Sequence, residues 1–195
     1  MSGNHLSREF FELIKNIGES KSKQEEDRIV RSEVATLKAK LDPNFIKKNA
    51  LGKTVMMSKK KQKEYLVRLM YVEMLGHDGS FGYIKAVEMV AGASVAQKRL
   101  GYLVCGICLP PEHEFRFMLI NQLQRDLQSS HVLETASALI ALSNLATVDM
   151  IAAVSNFVIQ ALDHGSDMIR KKAVHALYKV CVVMRSRLWW VKSVI

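Results

Sequence analysis

The chain has 195 residues, 49% of them hydrophobic and 24% charged, so it can form one domain or a short array of repeats. No run of eighteen apolar residues occurs, which excludes a transmembrane helix at the level of sequence, and the start of the chain lacks the pattern of a signal peptide. Three cysteines, an odd number, predict reduced thiols in the cytosol. The net charge of +9 favours an anionic partner, either nucleic acid or a membrane surface, and does not choose between them.

The first part of the chain has the pattern of two helices and a linker. A short helix is predicted over residues 8–19. Ser22 and Glu25 have the spacing of a capping box, which predicts a second helix that ends near residue 41. Residues 42–58, which contain Pro43, are predicted to form an irregular basic linker within the fold.

The next segment predicts a helix over residues 59–75. Its apolar residues recur at the spacing of one buried helix face, which includes Met74. Gly76 is predicted to end this helix, because glycine adopts the left-handed cap conformation without a steric penalty. A further helix is predicted over residues 81–90.

The second half of the sequence is a regular series of helix pairs. The first helices of three pairs begin near Ser94, Ser130 and Ser166, a spacing of 36 residues. Residues predicted to point inward recur at the same spacing, so that Leu103 matches Leu139 and Val104 matches Ile140. Antiparallel pairs at this period predict an all-α fold, an α-solenoid of the HEAT or armadillo type. The predicted helices cover residues 94–109, 112–128, 130–146, 147–165 and 166–183. The predicted domain is therefore 1–183, followed by a tail over 184–195 that lacks the solenoid pattern.

A single motif resembles that of an enzyme. Cys105 and Cys108 have the spacing of a redox pair, but they fall in the last turn of a predicted helix, where the helix dipole disfavours a thiolate. His113 adds one possible zinc ligand and no fourth is evident. We expect no catalytic residues, no metal site and no cofactor, and an enzyme that uses these cysteines is the least favoured alternative.

The most informative charge pattern is a run of lysines. Between Lys47 and Lys63 there are seven lysines and no acidic residue. These lysines are either a solvated helix face or a contact surface for an anionic membrane, where each lysine contributes about 1 kcal/mol. Nucleic-acid binding is less favoured, because aromatic residues do not alternate with the lysines.

Four stretches of the sequence form a recognisable set: the run KEYLVRLMYVEMLGHDGSFGYIKAVEM, then QKRLGYL, then Arg125-Asp126-Leu127, and then RKKA from Arg170 to Ala173. Together they resemble the N-terminal trunk of the large adaptins of clathrin-type adaptor complexes. They occur in one colinear order over about residues 8–182. EEDRIV, MLGHD and DLQSS are most similar to the epsilon branch of this family, in its plant-like form.

The resemblance implies a non-enzymatic subunit that assembles with beta, medium and small adaptor chains. Such a complex would sort membrane cargo through its sorting signals, at the cytoplasmic face of the trans-Golgi network, as a peripheral coat recruited from the cytosol by an Arf-type GTPase. The alternative is another HEAT-type scaffold, in nuclear transport or nucleic-acid handling.

The resemblance also implies roles for particular residues. Lys59, Lys60, Lys61 and Lys63 lie where the alpha adaptin has its phosphoinositide-binding lysines. Ile84 and Val87 match apolar positions at which the gamma adaptin contacts its GTPase.

Two departures from the family pattern lead to further expectations. Gly18 stands where related chains have an arginine that holds the acidic residue of dileucine signals, so binding of those signals is expected to be weak. Large adaptins continue for several hundred residues beyond this sequence, so a bare apolar end and self-association are expected.

Overall fold

The computed structural model describes residues 7–42, 47–48, 54–55 and 57–194, and for 47–48, 54–55 and 186–194 it describes the backbone. The described residues form nine α-helices, one 3₁₀ turn and one pair of two-residue strands. The prediction of an all-α fold is confirmed. The chain divides into two compact units, Met1–Lys85 and Ala86–Ile195. None of the helices in the described residues is long and apolar enough to cross a membrane.

The first unit contains three α-helices. They are α1 (Arg8–Gly18), α2 (Lys23–Leu41) and α3 (Lys59–Met74). Strand β1 (Lys47–Lys48) pairs antiparallel with β2 (Thr54–Val55). The predicted linker 42–58 is therefore not wholly irregular, since the β-branched residues of β2 favour extended backbone. A 3₁₀ turn (Ser80–Gly82) precedes α4 (Tyr83–Val90), in place of the single helix predicted over 81–90.

Serine side chains begin the helices of this unit. The Oγ atom of Ser22 accepts a hydrogen bond from the backbone N–H of Glu25, as predicted. The carboxylate of Glu25 accepts from the backbone N–H of Lys21 instead of that of Ser22, so only half of the predicted capping box forms. Gly76 has φ of +84°, which confirms that it takes the left-handed conformation after α3.

The second unit is a stack of helix pairs in two layers. Its helices are α5 (Val95–Cys108), α6 (Phe115–Leu127), α7 (Val132–Leu145), α8 (Val148–Leu162) and α9 (Asp167–Val194). In one layer α7 packs against α5 and α9, and in the other α6 packs against α8. This arrangement is the predicted solenoid of helix pairs.

Three helix limits in the second unit can be compared with the sequence. Ser94 and Gln97 form the predicted capping box at the start of α5. The predicted start at Ser130 is wrong, because His131 is the N-cap residue of α7. Helix α9 continues past residue 183 to Val194, and the sequence over that stretch contains neither glycine nor proline to stop it.

Three residues predicted in the core are exposed instead. Met74 is the last residue of α3 and lies beyond the buried stripe of that helix. On α5 the buried face follows Tyr102, Cys105 and Cys108, which turns Leu103 towards solvent. Ile140 of α7 is also exposed.

Candidate functional site

The first turn of α3 presents a cluster of positive charge, which we call the basic turn: Lys59, Lys60, Lys61 and Lys63. The first three lysines are exposed and Lys63 is half-buried. The helix begins at Ser58, whose Oγ accepts a hydrogen bond from the backbone N–H of Lys61 at 3.4 Å. The first turn contains no acidic residue, and no carboxylate in the described part of the chain pairs with the four lysines. Cations here oppose the helix dipole, so this arrangement is not one that helix stability alone would favour.

A buried arginine on the same helix holds the basic turn in place. Arg68 is 4% exposed and forms a bidentate pair with Glu33 of α2, with N–O distances of 2.6 and 2.8 Å. It also donates to Glu9 of α1 at 3.1 Å and lies 3.5 Å from Glu64. The Ser7 hydroxyl donates to Glu64. One guanidinium therefore ties α1, α2 and α3 together, and we call these residues the Arg68 cluster.

The carboxylates keep this arginine charged in spite of its burial. Burial alone would lower the pKa of Arg68, but the hydrogen bonds and charges of Glu33 and Glu9 outweigh it and raise the pKa. Removal of Arg68 would leave Glu33, which is also buried, without a counter-charge. The packing of α3 against α1 and α2 thus includes this ion cluster beside the buried aliphatic residues of α3.

The two residues matched to the GTPase contact lie on α4. Ile84 is half-buried, whereas Val87 is 8% exposed. An approaching protein can therefore contact Ile84 directly, and it can reach Val87 only at its edge.

The QKRLGYL motif, which contains Gly101, makes packing contacts within the second unit. The Nζ atom of Lys98 lies 2.6 Å from Oδ1 of Asp126, and the hydroxyl of Tyr102 donates to Oδ2 at 2.7 Å. These contacts connect α5 to α6. A Cβ atom on Gly101 would lie 2.6 Å from the backbone nitrogen of Val90, so only glycine allows this close approach.

The charges in this network also shift the ionisation of its members. Burial raises the pKa of Tyr102, as does the neighbouring carboxylate of Asp126. Burial alone would lower the pKa of Lys98, but its hydrogen bond to Asp126 contributes to a net increase. Both groups are therefore held in the protonated form that the network needs.

The two cysteines with redox spacing are both buried in α5. Burial, with a contribution from Cys108, raises the pKa of the Cys105 thiol to about 12. A protonated, buried thiol is a poor nucleophile and a poor metal ligand. The ring of His113 accepts a hydrogen bond from the backbone N–H of Phe115 and packs on that side chain, which gives it a role in the α5–α6 loop. Within the described residues no group of His, Cys, Asp or Glu has the arrangement of a metal site.

The Arg68 cluster is a feature that our reading of the sequence missed. Its signal was present, because Arg68 falls on the same helix face as Val72, and Glu33 lies between Val30 and Leu37 on the buried face of α2. A charged residue at a core position of each of two helices predicts a buried ion pair.

Comparisons with known proteins place this fold in a family. The model of the family described as "Adaptin N terminal region" matches residues 26–189. The chain belongs to this family, and the resemblance to the large adaptins is confirmed. Proteins similar to this chain include subunits named as belonging to the AP-4, AP-3 and AP-1 complexes.

Among these relatives, the epsilon subunits are similar to this chain over most of its length. It is 42% identical to AP-4 complex subunit epsilon of Arabidopsis thaliana over 89% of the chain, and 37% identical to AP-4 complex subunit epsilon-1 of Homo sapiens over 86%. The chain spans only 17% and 14% of the length of these two relatives. It also resembles a chain in a homology model of the full-length AP-3 complex in an intermediate open conformation, with a TM-score of 0.57 and 26% identity over 63% of this chain and 22% of that one.

Proposed function

We propose that this chain is the N-terminal trunk part of a non-enzymatic subunit of a vesicle-coat adaptor complex. The observation that carries the proposal is the family match over residues 26–189, together with relatives named as AP-4 complex subunits. In this function the subunit assembles with beta, medium and small chains and sorts membrane cargo at the trans-Golgi network. It is a peripheral coat component drawn from the cytosol to the cytoplasmic face of that membrane.

The basic turn is the proposed contact with the anionic membrane. Its support is the exposure of Lys59, Lys60 and Lys61, the absence of a carboxylate partner in the described residues, and the dipole cost of placing cations there. Four lysines at about 1 kcal/mol each contribute enough free energy for reversible recruitment to phosphoinositide-bearing membranes. The lysines themselves would be the groups that contact the lipid phosphates.

Two further elements of the proposal concern protein partners. An Arf-type GTPase would contact α4 at Ile84, with Val87 at the edge of the contact, and would raise the affinity for the membrane. The α1 position Gly18 is exposed and open, with no atom near its missing side chain. Since glycine offers no cation there, we propose that dileucine signals bind weakly at this position and that other sorting signals account for cargo selection.

Flotation with vesicles tests the membrane contact. The purified chain is mixed with neutral vesicles and with vesicles that contain phosphatidylinositol 4-phosphate, each with and without GTP-loaded Arf. A variant with Lys59, Lys60, Lys61 and Lys63 changed to Gln is compared with a control in which Lys21, Lys171, Lys172 and Lys179 are changed to Gln. Both variants lose the same net charge, so a difference in vesicle binding between them shows that the position of the lysines matters.

We expect the basic-turn variant to lose about 4 kcal/mol of binding, a several-hundred-fold weaker partition, while the control stays within about fivefold of the unchanged chain. Equal loss in both variants would mean that net charge alone drives binding. Binding of single-stranded RNA that depends on the same four lysines would favour the nucleic-acid alternative.

A further inference from the structure

A groove on the second unit lies between α5 and α7, in the layer opposite to α6 and α8. Its volume is about 360 Å³, and its lining includes Leu103, Ile140, Asn144 and Arg99. The two helices approach closely at Gly106, where a Cβ atom would lie 3.4 Å from that of Asn144. Asn144 also lines the groove, so this close approach of the two helices lies next to it.

The sides of the groove are apolar and exposed. Leu103 is 47% exposed and Ile140 is 43% exposed, although the spacing of both residues predicts the core. Ile107 follows Leu103 by one helical turn on α5 and is equally exposed. Two large aliphatic side chains therefore line the groove in solvent, and a third lies one helical turn from it on α5, which together form an apolar surface of the kind that marks an interaction site.

The layer that carries the groove is also strongly cationic. Up to residue 185, helices α5, α7 and α9 hold seven Lys or Arg residues and two Asp or Glu residues, whereas α6 and α8 hold two of each. Lys98 is buried and pairs with Glu134 and with Asp126 of α6, which leaves six basic residues and one acidic residue, Asp167, in this layer outside that network. Arg99 is exposed at the groove itself and is its only charged lining residue among those described.

We propose that this groove binds an amphipathic helix of a partner protein, with aliphatic residues on one face and acidic residues beside them. A groove between two helices has the shape that a third helix fills, with side chains at i, i+3, i+4 and i+7 between the ridges. The positive charge of the layer favours a partner helix that has acidic residues on either side of its aliphatic face, and Arg99 pairs with one of those carboxylates. This surface uses none of the basic-turn lysines, so the inference stands apart from the membrane proposal.

A designed peptide provides the probe. It is a fluorescent helix of about 14 residues, with leucines at i, i+3, i+4 and i+7 and glutamates on the flanks, measured by anisotropy against the purified chain. A second peptide has lysine in place of every glutamate. We expect the acidic peptide to bind at least about tenfold more tightly than the basic one.

Variants of the chain locate the binding. Leu103→Gln and Ile140→Gln should each weaken the acidic peptide about tenfold, because they remove aliphatic contacts at positions that are already exposed in the folded chain. Arg99→Glu should weaken the acidic peptide and strengthen the basic one. The matched controls are Ile159→Gln and Arg125→Glu, at exposed positions of α8 and α6, and both should bind as the unchanged chain does.

Three outcomes would overturn the proposal. One is that neither peptide binds, and another is that groove variants and controls lose affinity equally. The third is a dimer of the unchanged chain, seen in sedimentation, that Ile140→Gln abolishes, because a second copy would then be the occupant of the groove.

Discussion

Two helices of this chain contain three consecutive basic residues near their start, and the structure uses them differently. In α9 the residues are Arg170, Lys171 and Lys172, and Asp167 pairs with Lys171 at 2.7 Å and with Arg170 at 3.4 Å. Arg170 also donates to the backbone carbonyls of His164 and Gly165. In α3 the corresponding lysines have no acidic residue in their turn. The same sequence feature is therefore partly neutralised and structural in α9, and available to a ligand in α3.

The two helix starts are also held by different forces. Helix α9 is anchored by Ile169, Ala173 and Ala176, which are fully buried. Helix α3 has buried aliphatic residues too, but its contact with α1 and α2 is centred on Arg68 and its carboxylates. A single substitution at Arg68 therefore tests whether the buried ion cluster holds α3, and with it the basic turn, in place.

The largest effect should come from Arg68→Met. It leaves Glu33 buried without a partner and three carboxylates near one another, so the free energy of unfolding should fall by about 3–5 kcal/mol. Chemical denaturation followed by circular dichroism measures this loss. Arg31→Met on the exposed side of α2 is the control and should change stability by less than about 0.5 kcal/mol.

A double variant tests the reason for that loss. Arg68→Met combined with Glu33→Met removes both buried partners and should recover much of the stability, because no uncompensated charge is left in the core. If the double variant is as unstable as the single one, the ion pair is not what positions α3.

An intermediate effect is expected when the basic turn is made to resemble the start of α9. Lys60→Glu places an acid in the first turn of α3, which should raise stability by about 0.3–1 kcal/mol through the helix dipole. It should also weaken binding to anionic vesicles by about 2 kcal/mol, since one favourable charge becomes unfavourable. A gain in stability with a loss in binding is the signature of a functional cluster, and unchanged vesicle binding would contradict it.

The smallest effect should come from Asp167→Asn, which makes α9 resemble α3. The variant loses exposed ion pairs and a favourable acid at the helix start, so stability should fall by about 0.5–1 kcal/mol. Vesicle binding should rise by no more than about fivefold, measured by the same flotation assay. A larger rise would mean that α9 is as good a membrane contact as α3.

Much of the fold could be predicted from the sequence, because helix starts and stops depend on local chemistry. Ser94 with Gln97 and the left-handed Gly76 were both predicted from neighbouring residues and are confirmed. The end of α9 was not predicted, because no glycine or proline marks it in the sequence. The exposure of Leu103 was also missed, since a helix with apolar residues on several sides does not reveal which face is buried until its neighbours are placed.

The candidate site was less predictable than the fold. The exposure of Lys59, Lys60 and Lys61 follows from their charge, but the support from Arg68 depends on contacts between residues far apart in sequence, such as Arg68 and Glu33. The assignment of Val87 to a partner surface was drawn from the family resemblance, and its burial places most of its side chain out of reach of a partner. Pairings across helices are decided by packing, which a pattern along one helix does not specify.

Hydrogen exchange in the presence of vesicles would test most directly whether the basic turn is the membrane contact. The chain is measured by mass spectrometry with neutral vesicles and with vesicles that contain phosphatidylinositol 4-phosphate. The account predicts that anionic vesicles slow exchange in peptides that cover the start of α3 and leave those that cover the start of α9 unchanged. Slower exchange at the start of α9, with none at α3, would contradict it.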